Sequence, residues 1–142
     1  MTGGAGGIGL ALGKSFLKEN PKIIVLVDIN FKEFHFKNQK IICKKCDVTN
    51  ELSVQNLIDE INLDFGLIDI FCSNAGILSL GSEQTSNEDW SKNWNLHVMS
   101  HVFASKKLLL KMLRRCSGYF VNTASAAWLL SHIDSITYST TK

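Results

Sequence analysis

Short apolar runs alternate with longer amphipathic stretches along the 142 residues of this chain. The apolar runs are rich in β-branched and aromatic residues, which predicts parallel strands, the first of them buried. They read KIIVLVDI, KIICKKCDVT, LIDIFCSNAG and GYFVNTAS. Between them apolar residues recur at helical spacing, which predicts helices. These stretches read GIGLALGKSFLKEN, ELSVQNLIDEINLDFG and SNEDWSKNWNLHVMSHVFASKKLLLKMLRRC, and SITYSTTK predicts the first turns of another helix.

Strands that alternate with helices imply parallel β-α-β units and a doubly wound α/β sheet. In such sheets a ligand lies at the carboxyl ends of the strands. Asp28, Asp47, Asn74 and Ser125 each lie at or just after a predicted strand end. This convergence of polar residues predicts a binding crevice at that edge of the sheet.

The longest predicted helix begins at Ser86 or Asn87, either of which can cap its N-terminus. Its apolar stripe is predicted to face the core and comprises Val98, Val102, Leu109 and Leu113. The segment FKEFHFKNQ is predicted as either a short helix or a loop.

Composition and charge exclude several classes of protein. A net charge of +2 favours neither nucleic acid nor a membrane surface as a partner. No apolar run approaches the roughly 20 residues of a membrane span, and Lys14 interrupts the apolar N-terminal stretch, which argues against a signal peptide. Cys43 and Cys46 lack a second ligand pair for zinc, so we expect buried free thiols in a cytoplasmic protein without a metal site. Three histidines also lack a metal-binding pattern: His35, His101 and His132.

A glycine-rich loop, TGGAGGIG, occupies Thr2 to Gly9. Glycine at a tight turn permits positive φ, and bare backbone lets a pyrophosphate approach the N-terminus of the following helix. Alone, this pattern is weak. Asp28 strengthens it, because a carboxylate at the end of the next strand can hold the 2′-hydroxyl of the NAD ribose and repels the 2′-phosphate of NADP. The two features together favour NAD over NADP.

The chain resembles the short-chain dehydrogenase/reductase family. TGGAGGIG, CDVT, SNAG, NTAS and YSTTK occur in the family's order and close to its spacing, across essentially the whole sequence. The resemblance implies a Rossmann-like doubly wound parallel sheet and NAD-dependent hydride transfer between a secondary alcohol and a ketone. It also implies a small-molecule alcohol or ketone as substrate, and homo-oligomers for relatives of full length.

The resemblance implies which residues bind the cofactor. Asp47 with Val48 would contact the adenine, although Asp47 could also be a loop-capping residue. The turn of the SNAG motif would lie against the cofactor, and the family usually has asparagine where this chain has Ser73. Besides Asp28, the implied residues are Gly3, Gly7, Ile8, Gly9, Asp47, Val48, Asn74, Ala75, Gly76, Tyr138 and Lys142.

The resemblance implies Ser125, Tyr138 and Lys142 as catalytic residues. Hydride transfer at an alcohol carbon requires that a proton move to or from the oxygen. A lysine cation favours the phenolate and lowers a tyrosine pKa that is ordinarily about 10. Tyr138 and Lys142 share one helix face at i and i+4, and Ser125 can hydrogen-bond the substrate oxygen.

His97 stands where the family usually has a catalytic asparagine. Counting forward from Trp90 and back from Ser125 gives this position, whereas Asn93 and Asn95 would each need a shift of register. In the family the asparagine supports a water that links the lysine to solvent, partly through its backbone carbonyl. His97 either keeps a working relay, weakens the site, or only packs in a helix kink, and the sequence leaves these readings open.

The strand that leads into the glycine loop in the family is missing, because only Met1 precedes Thr2. The family's strand order, 3-2-1-4-5-6-7, places it between KIIVLVDI and LIDIFCSNAG, so we expect a gap between these strands or their direct pairing. The family's C-terminal strands and substrate loop lie beyond Lys142. We therefore expect 1–142 to be a single partial NAD(P)-binding Rossmann domain, marginally folded or aggregation-prone and essentially inactive alone.

Two alternatives to an active oxidoreductase stay open at this point. One is an inactive fragment of a dehydrogenase, and the other is a non-catalytic dinucleotide-binding module.

Overall fold

A computed structural model describes residues 1–31, 38–129 and 134–142. It contains two parallel strand pairs: β1 (Ile24–Asp28) with β2 (Ile41–Lys45), and β3 (Ile70–Ser73) with β4 (Tyr119–Asn122). Each strand lies within one of the four apolar runs. Most of the segment FKEFHFKNQ lies outside the described residues, as do His35 and His132.

The helices follow the predicted order. They are α1 (Gly7–Phe16), α2 (Glu51–Phe65), α3 (Asn87–Trp94), α4 (Ser100–Arg114) and α5 (Ile136–Thr141). Ser86 caps α3, because its Oγ accepts a hydrogen bond of 3.1 Å from the Asp89 N–H. A π-helical turn, Asn95–Met99, joins α3 to α4, so the predicted long helix is present but is not α-helical throughout.

Helices cover both faces of β1, which gives the doubly wound arrangement. Leu26 is fully buried on the α1 side, where a Cβ on Gly13 would lie 2.8 Å from the Leu26 Cδ2. Val27 is the next residue, so its side chain points to the opposite face. There it belongs to a core cluster with Ile58 of α2 and Leu108 of α4.

A gap separates the two strand pairs, which is one of the two arrangements expected from the sequence. Met1 and Thr2 bridge it at the carboxyl ends: the Val27 N–H donates to the Met1 carbonyl, and the Thr2 N–H donates to the Cys72 carbonyl, both at 2.9 Å. Farther toward the amino ends, a cavity of about 290 Å³ opens between β1 and β3. We call this cavity the strand slot, and its lining includes Val25, Ile61, Ile68, Ile70 and Phe71.

The predicted core stripe of the long helix is wrong for two of its leucines. Leu109 and Leu113 are 45% and 61% exposed. The stripe that faces the core is instead Phe103, Ala104, Leu108 and Met112. Apolar residues occupy both stripes of this helix, so their spacing alone could not distinguish the buried face from the exposed one.

The described part of the chain contains no helix that is long and apolar enough to cross a membrane. Cys43 and Cys46 are free thiols, and Cys46 is buried as expected. The expected burial is wrong for Cys43, because it lies on the exposed face of β2. Within the same residues no group of three or more His, Cys, Asp or Glu side chains could hold a metal ion.

Candidate functional site

The glycine loop is tightly packed on one side and open on the other. Gly3 has a φ of +64°, and a Cβ there would lie 3.0 Å from the Cα of Ala75. A Cβ on Gly9 would overlap the Gly3 carbonyl oxygen. Gly6 and Gly7, in contrast, have no atom within 4 Å of an added Cβ, and no side chain caps the N-terminus of α1. This open backbone fits a pyrophosphate, which needs free N–H groups and close approach.

Asn74 braces the glycine loop against the strand ends. Its backbone N–H donates to Thr2 Oγ1 at 2.9 Å, and its side-chain amide donates to the Thr2 carbonyl at 3.2 Å. Its Oδ1 accepts a hydrogen bond of 3.1 Å from Thr123, just after β4. Asn74 therefore links the loop, β3 and β4, a role that the sequence did not predict.

Thr2 is a site residue that the sequence analysis missed. It is 5% exposed, and its hydroxyl oxygen accepts from the backbone N–H groups of both Asn74 and Ala75. The signal was a threonine at the start of the glycine loop, since a β-branched hydroxyl residue suits a buried strand end that must also accept hydrogen bonds.

Asp28 lies at the end of β1, beside the glycine loop. Its Oδ2 accepts a hydrogen bond of 3.0 Å from the Ala5 N–H, and its Oδ1 accepts one of 2.8 Å from the Ile29 N–H. The carboxylate is half-buried. It is thus fixed at the edge of the loop with lone pairs left for a ligand hydroxyl.

Asp47 and Val48 differ in their surroundings. The Asp47 carboxylate is exposed and accepts hydrogen bonds from the N–H and the hydroxyl of Thr49, at 2.9 Å and 2.7 Å. Val48 is buried in the core cluster. Asp47 therefore caps its own turn after β2, and its contact with an adenine stays a prediction.

The Lys142 amino group is buried beside the SNAG turn. A Cβ on Gly76 would lie 3.3 Å from Lys142 Nζ and 3.4 Å from His97 Nε2. Lys142 Nζ has no hydrogen-bond partner within the described residues, and burial lowers the pKa of this amine. An unpartnered buried amino group is costly, so this position fits ligand hydroxyls such as those of a ribose.

His97 lies between the SNAG turn and α5. Its ring meets the ring of Tyr138 edge-on, with centroids 5.6 Å apart. Its Nδ1 lies 2.8 Å from Thr141 Oγ1, and its Nε2 accepts a hydrogen bond of 3.1 Å from the Ile77 N–H. Burial, and then the charge of Lys142, lower the pKa of His97 to about 4, so it is neutral at pH 7.

The two nearby asparagines lie elsewhere. The Asn93 amide is buried and donates to Ser79 Oγ and to the Asp89 carbonyl. Asn95 is exposed. Of these three residues, His97 is therefore the one that bonds to α5.

Ser125 follows β4 and caps a short 3-10 helix, Ala126–Trp128. Its Oγ accepts a hydrogen bond of 3.2 Å from the Ala127 N–H, which leaves the hydroxyl hydrogen free to donate. This short helix contacts α5, so Ser125 and Tyr138 belong to the same edge of the fold.

Known proteins of similar sequence and structure identify the fold. A family model described as short chain dehydrogenase matches residues 1–142. The uncharacterized oxidoreductase YvrD of Bacillus subtilis is 32% identical over 149 residues, covering 100% of this chain and 56% of the relative. The 17-beta-hydroxysteroid dehydrogenase 13 of Mus musculus is 30% identical over 135 residues, covering 88% of this chain and 43% of the relative.

A solved structure agrees with these matches. The crystal structure of a short-chain dehydrogenase from Streptomyces avermitilis superposes with a TM-score of 0.91 at 23% identity, covering 99% of this chain and 53% of that one. The chain spans about half the length of the proteins it matches. Because the family model matches the chain from end to end, this chain belongs to the short-chain dehydrogenase family.

Proposed function

We propose that a protein carrying these residues transfers a hydride between a secondary alcohol and NAD⁺, or from NADH to the ketone. The observation that supports this most is the buried amino group of Lys142, which has no partner within the described residues and lies one helical turn from Tyr138 and beside the SNAG turn. An oxidoreductase of this family needs a cation there, because it makes a tyrosine able to exchange a proton near neutral pH.

The cofactor is proposed to bind along the glycine loop. The open side of Gly6 and Gly7 would receive the pyrophosphate at the N-terminus of α1. Asp28 would accept hydrogen bonds from the ribose hydroxyls and would repel a 2′-phosphate, so we propose NAD rather than NADP as the cofactor. Lys142 would hold the second ribose. When bound, the nicotinamide supplies the hydride acceptor or donor.

The chain's own residues then move the proton and hold the substrate oxygen. Tyr138 would take the proton from the alcohol hydroxyl at its phenolic oxygen, and return it in the reverse direction. The ammonium of Lys142 would favour the phenolate. Ser125 would donate its free hydroxyl hydrogen to the substrate oxygen and so fix its position.

The exposed side chains near the strand ends favour an apolar alcohol. Leu78 and Leu80 follow β3, and Trp128 and Leu129 follow β4; all four are more than 60% exposed. Side chains of this size exposed at a ligand edge suit an apolar substrate. The relative named 17-beta-hydroxysteroid dehydrogenase 13 is compatible with this class of alcohol.

The test uses a protein of full family length that carries these residues, since the chain spans about half of its relatives. NADH formation from NAD⁺ is followed with a 17β-hydroxysteroid and with D-threitol as the polar comparison. Tyr138→Phe should lower turnover by at least about a hundredfold, because it deletes the proton carrier. Tyr119→Phe is the matched control, because Tyr119 is 71% exposed on β4; it should retain the activity.

Substantial turnover by Tyr138→Phe would contradict the proposal, because another acid would then move the proton. NADH binding by the folded protein without turnover on either alcohol would favour the second candidate, a non-catalytic dinucleotide-binding module. Faster turnover of D-threitol than of the steroid would overturn the apolar substrate class alone.

Self-association of the protein also stays a proposal. The exposed face of α4 carries three leucines, Leu109, Leu110 and Leu113. In the family the corresponding helix pairs across a dimer, and a row of exposed leucines is compatible with that use. Sedimentation at several protein concentrations tests it, and a monomer throughout would contradict it.

A further inference from the structure

Both ring nitrogens of His97 are engaged. The Ile77 backbone N–H donates to Nε2, and Nδ1 lies within hydrogen-bond distance of Thr141 Oγ1. Thr141 Oγ1 in turn donates to the carbonyl of Thr137 at 2.7 Å. His97 and Thr141 are 3% and 8% exposed, so water has little access to these bonds.

Only one arrangement of hydrogens satisfies this series of bonds. A backbone N–H can only donate, so Nε2 must be unprotonated. Nδ1 then carries the ring hydrogen and donates it to Thr141 Oγ1. The Thr141 hydroxyl accepts that bond and donates its own hydrogen to the Thr137 carbonyl, which can only accept. The series therefore specifies a neutral imidazole in its Nδ1–H form.

This arrangement leaves His97 without a nitrogen to exchange a proton with Lys142. The titratable groups that face it are Tyr138 and Lys142 of α5, and His101, one turn farther along α4. A second proton on the ring would have to displace the Ile77 N–H and would lie near the lysine cation. Both effects oppose a cationic His97.

The same bonds fix α5 in place. An imidazole presents its two nitrogens on separate edges, so one ring joins the turn after β3 to Thr141. Thr141 directly precedes Lys142, and the ring also packs edge-on against Tyr138. The π turn, Asn95–Met99, places this side chain toward α5, and such turns are frequent at functional sites.

We infer that His97 is a positioning residue: it fixes α5 through Thr141, and with it Tyr138 and Lys142, and it does not carry a proton in the reaction. The roles of Tyr138 and Lys142 rest on the proposed function. The bonds among His97, Ile77 and Thr141 do not, so the hydrogen on Nδ1 can be tested without turnover.

The first experiment is long-range ¹H–¹⁵N NMR of the histidine rings in a ¹⁵N-labelled protein of full family length that carries these residues. We expect the His97 ring as a neutral Nδ1–H tautomer at pH 7, and still neutral at pH 5. An Nε2–H tautomer, a cation at pH 7, or a titration midpoint near 6.5 would overturn the inference. The wild-type spectrum alone decides this point.

Substitutions in α5 then test the bond to Thr141. Thr141→Val removes the hydroxyl that accepts from Nδ1–H at nearly constant volume. The Nδ1 ¹H and ¹⁵N shifts of His97 should therefore change, while the Ile77 N–H keeps the ring in its Nδ1–H tautomer. Thr141→Ser keeps the hydroxyl and should restore the wild-type signal. Thr140→Val is the matched control, because Thr140 is exposed on the same helix; it should leave the ring unchanged. An unchanged ring in a folded Thr141→Val chain would overturn the inference.

The second experiment measures the pH dependence of kcat in the full-length enzyme. His97→Gln and Thr141→Val should each lower kcat by about tenfold, leave KM nearly unchanged, and keep the shape of the pH profile. The double variant should lose no more than either single one, because both break the same bond. If the pH profile of kcat for His97→Gln lacks an ionisation that the wild-type profile shows, His97 carries a proton in the reaction and the inference is wrong. An enzyme without turnover would contradict the proposed function, while the NMR result would still decide the tautomer.

Discussion

The carboxyl ends of the strands and the strand slot lie in the same molecule but differ in how they are closed. At the carboxyl ends, Met1 to Gly4 bond to β1 and β3, and Asn74 connects the loop to β3 and β4. In the strand slot, farther toward the amino ends, apolar side chains of β1, α2 and β3 line a cavity of about 290 Å³.

The difference shows that the geometry of the binding edge is fixed by local hydrogen bonds and does not depend on a complete sheet. The glycine loop is held by short hydrogen bonds to residues that follow strand ends, so its geometry is set locally. The sheet around it needs a central strand to pair the facing edges of β1 and β3, because open strand edges expose unpaired backbone groups. Stability and site geometry therefore rest on different parts of the chain.

The largest expected effect is the difference in lost unfolding free energy between a substitution in the packed core and one in the strand slot. Ile58 is fully buried between α2 and α4, whereas Ile70 lines the slot and is 42% exposed. Ile58→Ala should lower the free energy of unfolding by about 3 kcal/mol, and Ile70→Ala by less than about 1 kcal/mol, because little packing is lost beside a cavity. Urea denaturation of both variants measures this, and equal losses would contradict the contrast.

The next largest effect concerns the hydrogen bonds by which Asn74 joins the glycine loop to β3 and β4. Asn74→Ala would leave the Thr2 carbonyl and the Thr123 hydroxyl without their partner, which should cost about 2 kcal/mol of unfolding free energy. Asn62→Ala is the matched control, because the buried Asn62 amide has no partner among the described residues. It should be neutral or stabilising, and a larger loss at Asn62 than at Asn74 would contradict the brace.

Lowering the pH should lower the free energy of unfolding, because His97 is buried at the carboxyl ends of the strands. The His97 pKa of about 4 in the folded chain lies below its ordinary value near 6.5. Between these values the unfolded chain binds the extra proton, so stability falls as the pH falls from about 6.5 toward 4. From pH 7 to pH 5 the loss is about 2 kcal/mol, and burial lowers the pKa of His101 in the same direction.

Denaturant midpoints at the two pH values measure this loss. His97→Gln should show a clearly smaller difference between them, because the glutamine does not titrate. An equal difference in wild type and variant would mean that other groups cause the acid sensitivity.

The strands and the polar residues at their ends could be predicted because short runs of β-branched and aromatic residues mark strands directly, whether they are buried as in β1 or largely exposed as in β4. Asp28 ends β1 and Asn74 directly follows β3, as the pattern required. The sequence could not show which of the two leucine-bearing faces of α4 is buried, because burial depends on which face meets α2. The spacing of the apolar residues is the same for both faces. Of the two expected arrangements, a gap or direct pairing of β1 with β3, the structure has the gap, because the described strands form two separate two-stranded sheets.

The hydrogen-bonded details of the site could not be predicted. The sequence placed His97 at the asparagine position but left its role open. Its two bonds depend on a π turn and on the path of the turn after β3, and neither has a sequence pattern of its own. The same holds for Thr2, whose role depends on Asn74, 72 residues farther along the chain.

We propose that the carboxyl edge of this short-chain dehydrogenase chain binds NAD in preference to NADP, with Asp28 as the residue that discriminates between them. Titration of the 142-residue chain with NADH and NADPH, followed by nucleotide fluorescence, tests it most directly. We expect NADH to bind at least about tenfold more tightly, a difference of about 1.4 kcal/mol, because the Asp28 carboxylate repels the 2′-phosphate of NADPH. Asp28→Asn keeps the shape of the side chain and should narrow that ratio. Equal or tighter binding of NADPH to the wild-type chain would contradict the claim.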